Sequence, residues 1–191
     1  WSEVMNVDES ENPIIIEVYA KQFAWQARYA GDDNTLGLGN VNFIDESNNP
    51  IGVDMSDAAS LDDKPVTELH LPKGKKVLFK FRSQDVLHSA YMPHFRAQMN
   101  CVPGMVTQFA FTPKYTTEEM RLQSEVVDKV QRINKIRSEK GEDLYEFDYI
   151  LLCNKICGAS HFSMQMKIVV EEEEDYENWL AEQPTYGEVI N

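Results

Sequence analysis

Apolar and polar positions alternate over short stretches along most of this chain, and the period changes once. Ile14-Ile-Ile-Glu-Val-Tyr19 through Tyr29 predicts a strand or two. Glu68-Leu-His-Leu71, Lys75 to Phe81 and Gln108-Phe-Ala-Phe111 predict further strands, as do Tyr145-Glu-Phe-Asp-Tyr-Ile-Leu-Leu152 and Met166-Lys-Ile-Val-Val170. Residues 31–63 are rich in Gly, Asn and Asp and read as turns, with Val41-Asn-Phe-Ile44 as a short strand candidate. Between Thr116 and Lys140 the period becomes helical. Thr116-Thr-Glu-Glu119 matches a capping box, Met120, Val127, Val130 and Ile133 interleave with charges, and Gly141 is a stop. The pattern predicts an all-β sandwich or barrel carrying one inserted amphipathic helix. Its expected layout is an acidic, poorly ordered lead-in over 1–12 and a β domain over 13–175. The helical insertion falls at about 116–140, and a tail runs over 176–191.

Composition narrows this reading without redirecting it. The 191 residues are 42% hydrophobic and 26% charged, which suits one well-cored soluble domain. A net charge of −14 excludes a general nucleic-acid binder. It suits a basic protein partner, and Glu171-Glu-Glu-Glu-Asp175 is the densest acidic patch. No run of eighteen apolar residues occurs, and no secretory signal pattern stands at Trp1. Three cysteines cannot all pair, which argues against a disulfide scaffold.

The candidate chemistry lies in Cys153-Asn-Lys-Ile-Cys157-Gly-Ala-Ser-His161-Phe-Ser-Met164. Two thiols, an imidazole and a thioether form a soft donor set that favours copper over zinc, magnesium or calcium. Two thiolates with a Met exceed the needs of one copper, so a thiolate-bridged pair and electron transfer follow. Spacings of four, four and three would also fit a buried helical stripe. The strand-like flanks and Gly158 favour a loop between two strands. Zinc sites usually have tighter Cys pairs and no Met, and no C-x-x-C-H haem motif is present. A redox disulfide between Cys153 and Cys157 would leave His161 and Met164 without a role. Nucleophilic catalysis would not need the second thiol.

Two copper shells need a further donor, and His88, at the end of a strand-like run, competes for that part with an ordinary structural role. Asp85-Val-Leu-His88-Ser, Pro93, Phe95-Arg96, Val102-Pro-Gly104 and the Cys/His/Met loop together closely resemble the soluble domain of cytochrome c oxidase subunit II. Gln22-Phe-Ala-Trp25 and Tyr176-Glu-Asn-Trp179 extend the resemblance over nearly the whole chain. It implies a cupredoxin-like Greek-key barrel holding a binuclear Cu-A centre of two copper ions. Cys153 and Cys157 would bridge, His88 and His161 would each bind one copper, Met164 would be a weak ligand, and Lys155 would offer its backbone carbonyl. The implied partners are cytochrome c as donor and oxidase subunit I as acceptor. The chain would be the soluble part of a membrane-anchored subunit on the periplasmic face of a bacterial inner membrane.

Three departures from the family limit what carries over. Lys155 replaces a Glu that usually reaches magnesium; an ammonium cannot ligate Mg²⁺, so that site is not carried over. Phe23 replaces the Trp at which the family receives electrons, leaving Phe23 or Trp25 as candidates, although aromatics in a strand-like segment are more often core than conduit. Met105 replaces the Arg after Pro-Gly. Cys101 reads as a small buried hydrophobe. Two other readings stay open: a copper-delivery protein using the C-x-x-x-C pair and a distant His, and the Cu-A domain of a nitrous oxide reductase.

Overall fold

A computed structural model describes residues 12–189; the lead-in expected over 1–12 lies almost wholly outside the described residues. Among the described residues, ten strands form two mixed sheets. The first contains β1 (Ile14–Lys21), β2 (Ala24–Tyr29), β3 (Lys64–Val66), β5 (Val77–Ser83) and β8 (Thr107–Phe111), in the order β3-β2-β1-β5-β8. The second contains β4 (Leu69–Pro72), β6 (His88–Met92), β7 (Ala97–Cys101), β9 (Tyr149–Cys153) and β10 (Gln165–Glu171), in the order β4-β10-β9-β6-β7. β1 pairs parallel with β5, and β4 parallel with β10; the other pairings are antiparallel.

One apolar core joins the sheets, with Ile16, Val18, Phe79 and Phe81 facing Leu69, Met92, Leu151 and Ile168. Strand alternation decides which chemistry enters it. On β9, Tyr149, Leu151 and Cys153 are buried while Ile150 and Leu152 are half-buried. Cys153 is therefore delivered to the core side at the strand's end. β1 is buried on both faces, because Tyr19 on its outer face is covered by Ile51 and Val53 of the turn-rich segment and by Tyr186.

Helices lie mainly at the pole away from β9's end. α1 (Thr117–Arg121) and α2 (Ser124–Lys140) fill the expected insertion, and α3 (Glu173–Glu182) and α4 (Tyr186–Val189) follow β10. Thr116 and Glu119 form the expected capping box, and Gly141 ends α2 with φ +70°. The single helix expected over 116–140 is divided, because Gln123 turns extended (ψ 133°) and starts α2 afresh. Arg121 fixes the division by donating to the Phe147 carbonyl and reaching Asp148. Val41–Phe43 is a 3-10 turn capped by the Asn40 side chain, not the short strand expected there. A boundary at 175 cuts α3, whose Tyr176 is buried in the main core. Among the described residues no helix is long and apolar enough to cross a membrane.

Candidate metal centre

Three loops meet at one pole of the sandwich. The β9–β10 loop supplies Cys157, His161 and, at its close, Met164. The β5–β6 loop leads into His88 at the first position of β6, and the β1–β2 turn carries Gln22 and Phe23. Antiparallel pairing of Ala90 with Cys153 brings the two donor segments alongside each other.

The five sequence-predicted side-chain donors converge. The Cys153 and Cys157 sulfurs are 3.9 Å apart, far beyond a disulfide's about 2.05 Å. Cys153 Sγ lies 3.8 Å from His88 Nδ1 and 3.2 Å from the Lys155 carbonyl oxygen. Cys157 Sγ lies 3.6 Å from His161 Nδ1 and 4.0 Å from Met164 Sδ. Donor atoms that share an ion at about 2.0–2.3 Å have spacings of this order. His88, Cys153 and Cys157 alone place their ligand atoms within 4.8 Å of one another. The Lys155 side chain is exposed.

The electrostatics favour a cation. His88 is wholly buried, and Cys153, Cys157 and Met164 nearly so. Burial pushes the Cys157 thiol up to about 11, with Cys153 adding to the rise, so the bare site resists holding two thiolates. Among the described residues no lysine or arginine is hydrogen-bonded to either sulfur; the neighbours are imidazole, thioether and carbonyl. Soft donors without a counter-charge fit a soft metal cation.

Around these donors stands a bracing shell. Asp85 Oδ1 accepts from His88 Nε2 at 2.8 Å, leaving Nδ1 to face Cys153. Burial raises the Asp85 carboxyl, but hydrogen bonds from His88 and the Gln22 and Val86 N–H groups hold it below its ordinary value. Sequence reasoning used Asp85 as part of a motif and gave it no role; its place three residues before His88 was the available signal. Trp25, 6% exposed, donates from Nε1 to the Met164 carbonyl at 3.4 Å, and its ring meets His88 edge-on at 6.3 Å. Phe23 is half-buried, its ring against Gly158, where an added Cβ would stand 2.8 Å away. Both candidate aromatics thus border the donors.

Cys101 and the acidic run stand outside the donor group. Cys101 is fully buried, with burial raising its thiol to about 12, and it belongs to the core. The acidic run from Glu171 to Asp175 begins where β10 ends, seven residues from the ligand loop, or roughly 20 Å along the strand. There Lys73 pairs with Glu172 and Lys75 with Glu173. At the donor pole the exposed side chains include Ile156 and Phe162, 84% and 86% accessible.

The sequence model of the family described as cytochrome c oxidase subunit II, periplasmic domain, matches residues 14–128. That stretch includes His88 and stops before Cys153. A protein named alternative cytochrome c oxidase subunit 2, from Bradyrhizobium diazoefficiens, is 36% identical over 90% of this chain and 52% of its own length. Cytochrome c oxidase subunit 2 of Alkalihalophilus pseudofirmus is 24% identical over 92% of this chain and 36% of its own. The chain thus spans about half or less of these curated relatives. Among solved structures, the periplasmic domain of subunit II of cytochrome oxidase from Bradyrhizobium japonicum shares the fold. Its TM-score is 0.52 at 18% identity, covering 88% of this chain and 91% of that one.

Proposed function

The chain belongs to the cytochrome c oxidase subunit II family, and we propose that it is the electron-transfer domain of a respiratory haem-copper oxidase. It would take electrons from cytochrome c at a binuclear copper centre and pass them to haem in subunit I. The observation that carries this reading is the convergence of two free buried cysteines, two histidine Nδ1 atoms and a methionine sulfur.

Cys153 and Cys157 would hold the pair as bridging thiolates, with His88 and His161 binding through Nδ1, Met164 as a weak ligand and Lys155 through its carbonyl. When bound, such a pair supplies one-electron redox chemistry at nearly constant geometry. The protein's part is to hold that geometry. Asp85 fixes the tautomer and orientation of His88 and raises its basicity as a ligand. Buried walls keep water from the sulfurs, and Trp25 fastens the chain at Met164. The location of the acidic run, far from the donors, argues against it as the docking patch for a cytochrome. Ile156 and Phe162 offer an apolar rim at the donor pole instead. The periplasm is the compartment named for the family's domain.

Copper titration with electron paramagnetic resonance tests this reading. Two tightly held ions and a seven-line mixed-valence signal are expected. One labile Cu(I), as a delivery protein would hold, or a four-line mononuclear signal would overturn it.

A further inference from the structure

Gln22 sits in the tight β1–β2 turn, outside every donor segment, yet it is bonded to two of them. Its backbone N–H donates to Asp85 Oδ2 at 2.7 Å, and the other oxygen of that carboxylate holds the His88 ring. Its side-chain amide Nε2 donates to the carbonyl of Cys157. Next to it, the Phe23 ring closes on Gly158 so tightly that no side chain would fit there. Lys21, one residue earlier, pairs with Glu46 of the turn-rich segment, which ties the turn from behind.

We propose that Gln22 is a positioning residue of the metal centre, coupling the His88 side of the donor set to the Cys157 side through one turn. This rests on the copper reading above. The two donor segments are joined by the bond from the Asn154 N–H to the Ser89 carbonyl at 2.9 Å, and Cys157 lies three residues beyond that link, so the distance between His88 and Cys157 needs a separate constraint. Gln22 supplies it. The amide fixes the Cys157–Gly158 peptide plane, and with it the direction of the Cys157 Cα–Cβ bond that aims the sulfur. Phe23 then has a packing duty at Gly158 that an electron-relay role does not require.

The test compares the 191-residue chain with Gln22→Met, which keeps the volume and removes the donor, and Gln22→Glu, which sets an oxygen against the carbonyl. In copper-loaded protein, both variants should lose copper to a competing chelator about tenfold faster, in line with losses at bracing positions. Both should also show an altered hyperfine pattern and a shifted midpoint potential. In copper-free protein, exchange of the Gly158 amide should quicken while the global unfolding midpoint stays unchanged. Wild-type copper release, spectrum and potential in both variants would overturn the proposal. So would losses that merely follow a fall in copper-free stability. A wild-type chain that shows no mixed-valence signal overturns the copper reading itself, and the Gly158 exchange result still decides whether the brace exists.

Discussion

The donor pole and the outer face of β1 both bury acidic groups, and they neutralise them in opposite ways. On β1, Glu17 and Asp63 are buried together with Arg28, which donates to Glu17 at 2.8 Å, to Asp63 at 2.7 Å and to the Gly37 carbonyl at 2.7 Å. Arg82 reaches Glu17 as well. That cluster carries its own cation. At the donor pole, Cys153 and Cys157 face imidazoles, a thioether and a carbonyl, with no guanidinium or ammonium bonded to them among the described residues. A buried acid that brings a guanidinium is architecture; one that brings only lone pairs is shaped for a metal.

The sharpest way to break this comparison is at the sulfurs. Cys157→Ser should abolish the mixed-valence copper signal entirely, because a hydroxyl neither bridges two coppers nor ionises in a site that already raises a thiol to about 11. Its fold should survive, since Cys157 sits at the rim of the core. Circular dichroism unchanged with copper lost is the expected pair of results. A retained seven-line signal would remove Cys157 from the centre.

Arg28→Met attacks the other region and should do the reverse. It leaves buried Glu17 with only Arg82 and buried Asp63 with only the Gly37 N–H, a loss of about 3–5 kcal/mol for a broken buried pair, readable by urea denaturation. Copper stoichiometry in the remaining folded protein should not change. Loss of copper at urea concentrations where the fold persists would show that the two regions are coupled.

Asp63 adds a pH signature to that face. Burial pushes its carboxyl up to about 7, against the pull of Arg28 and the Gly37 N–H. An acid with a folded pKa above its unfolded value of about 3.9 keeps more protons folded than unfolded across that interval. Its contribution to stability is present at the acid end and lost as pH rises from about 4 to 7. The difference in unfolding free energy between wild type and Asp63→Asn should therefore decline over that range. A difference that is flat or rising would place the Asp63 pKa at or below its unfolded value.

How much of this was legible in the sequence differs between the two regions for a physical reason. Metal donors are rare residue types, and four of them lie within twelve positions of one loop, so Cys153 to Met164 announced itself. His88 needed only a strand end and a motif. The Arg28 cluster is built from common residues separated by 11 and 35 positions: Arg28 meets Glu17 as its cross-strand partner, and the fold of the segment over 31–63 adds Asp63. Strands were readable even from four residues, as at Glu68-Leu-His-Leu71 and Gln108-Phe-Ala-Phe111. Val41–Ile44 failed because Asn40 offers its side chain to the next turn, a local bond that beats a short apolar run. The break at Leu122–Gln123 had no Gly or Pro to mark it; Arg121, reaching a segment 26 residues away, holds it.

The third cysteine makes the smallest and most discriminating test, because it shares the element but not the setting. Cys101 pairs across the sheet with His88, is fully buried, and keeps its proton, with burial raising it to about 12. Its neighbours are core residues, and its sulfur does not join the close group formed by His88, Cys153 and Cys157. Cys101→Ala should then cost about 1 kcal/mol of stability, as a typical core truncation does, and leave copper count, spectrum and potential as they were. The strand pairing makes this a strict requirement. If removing a thiol directly across from His88 altered the spectrum, the wall behind the imidazole would be setting its position, and Asp85 alone would not suffice to hold the ring.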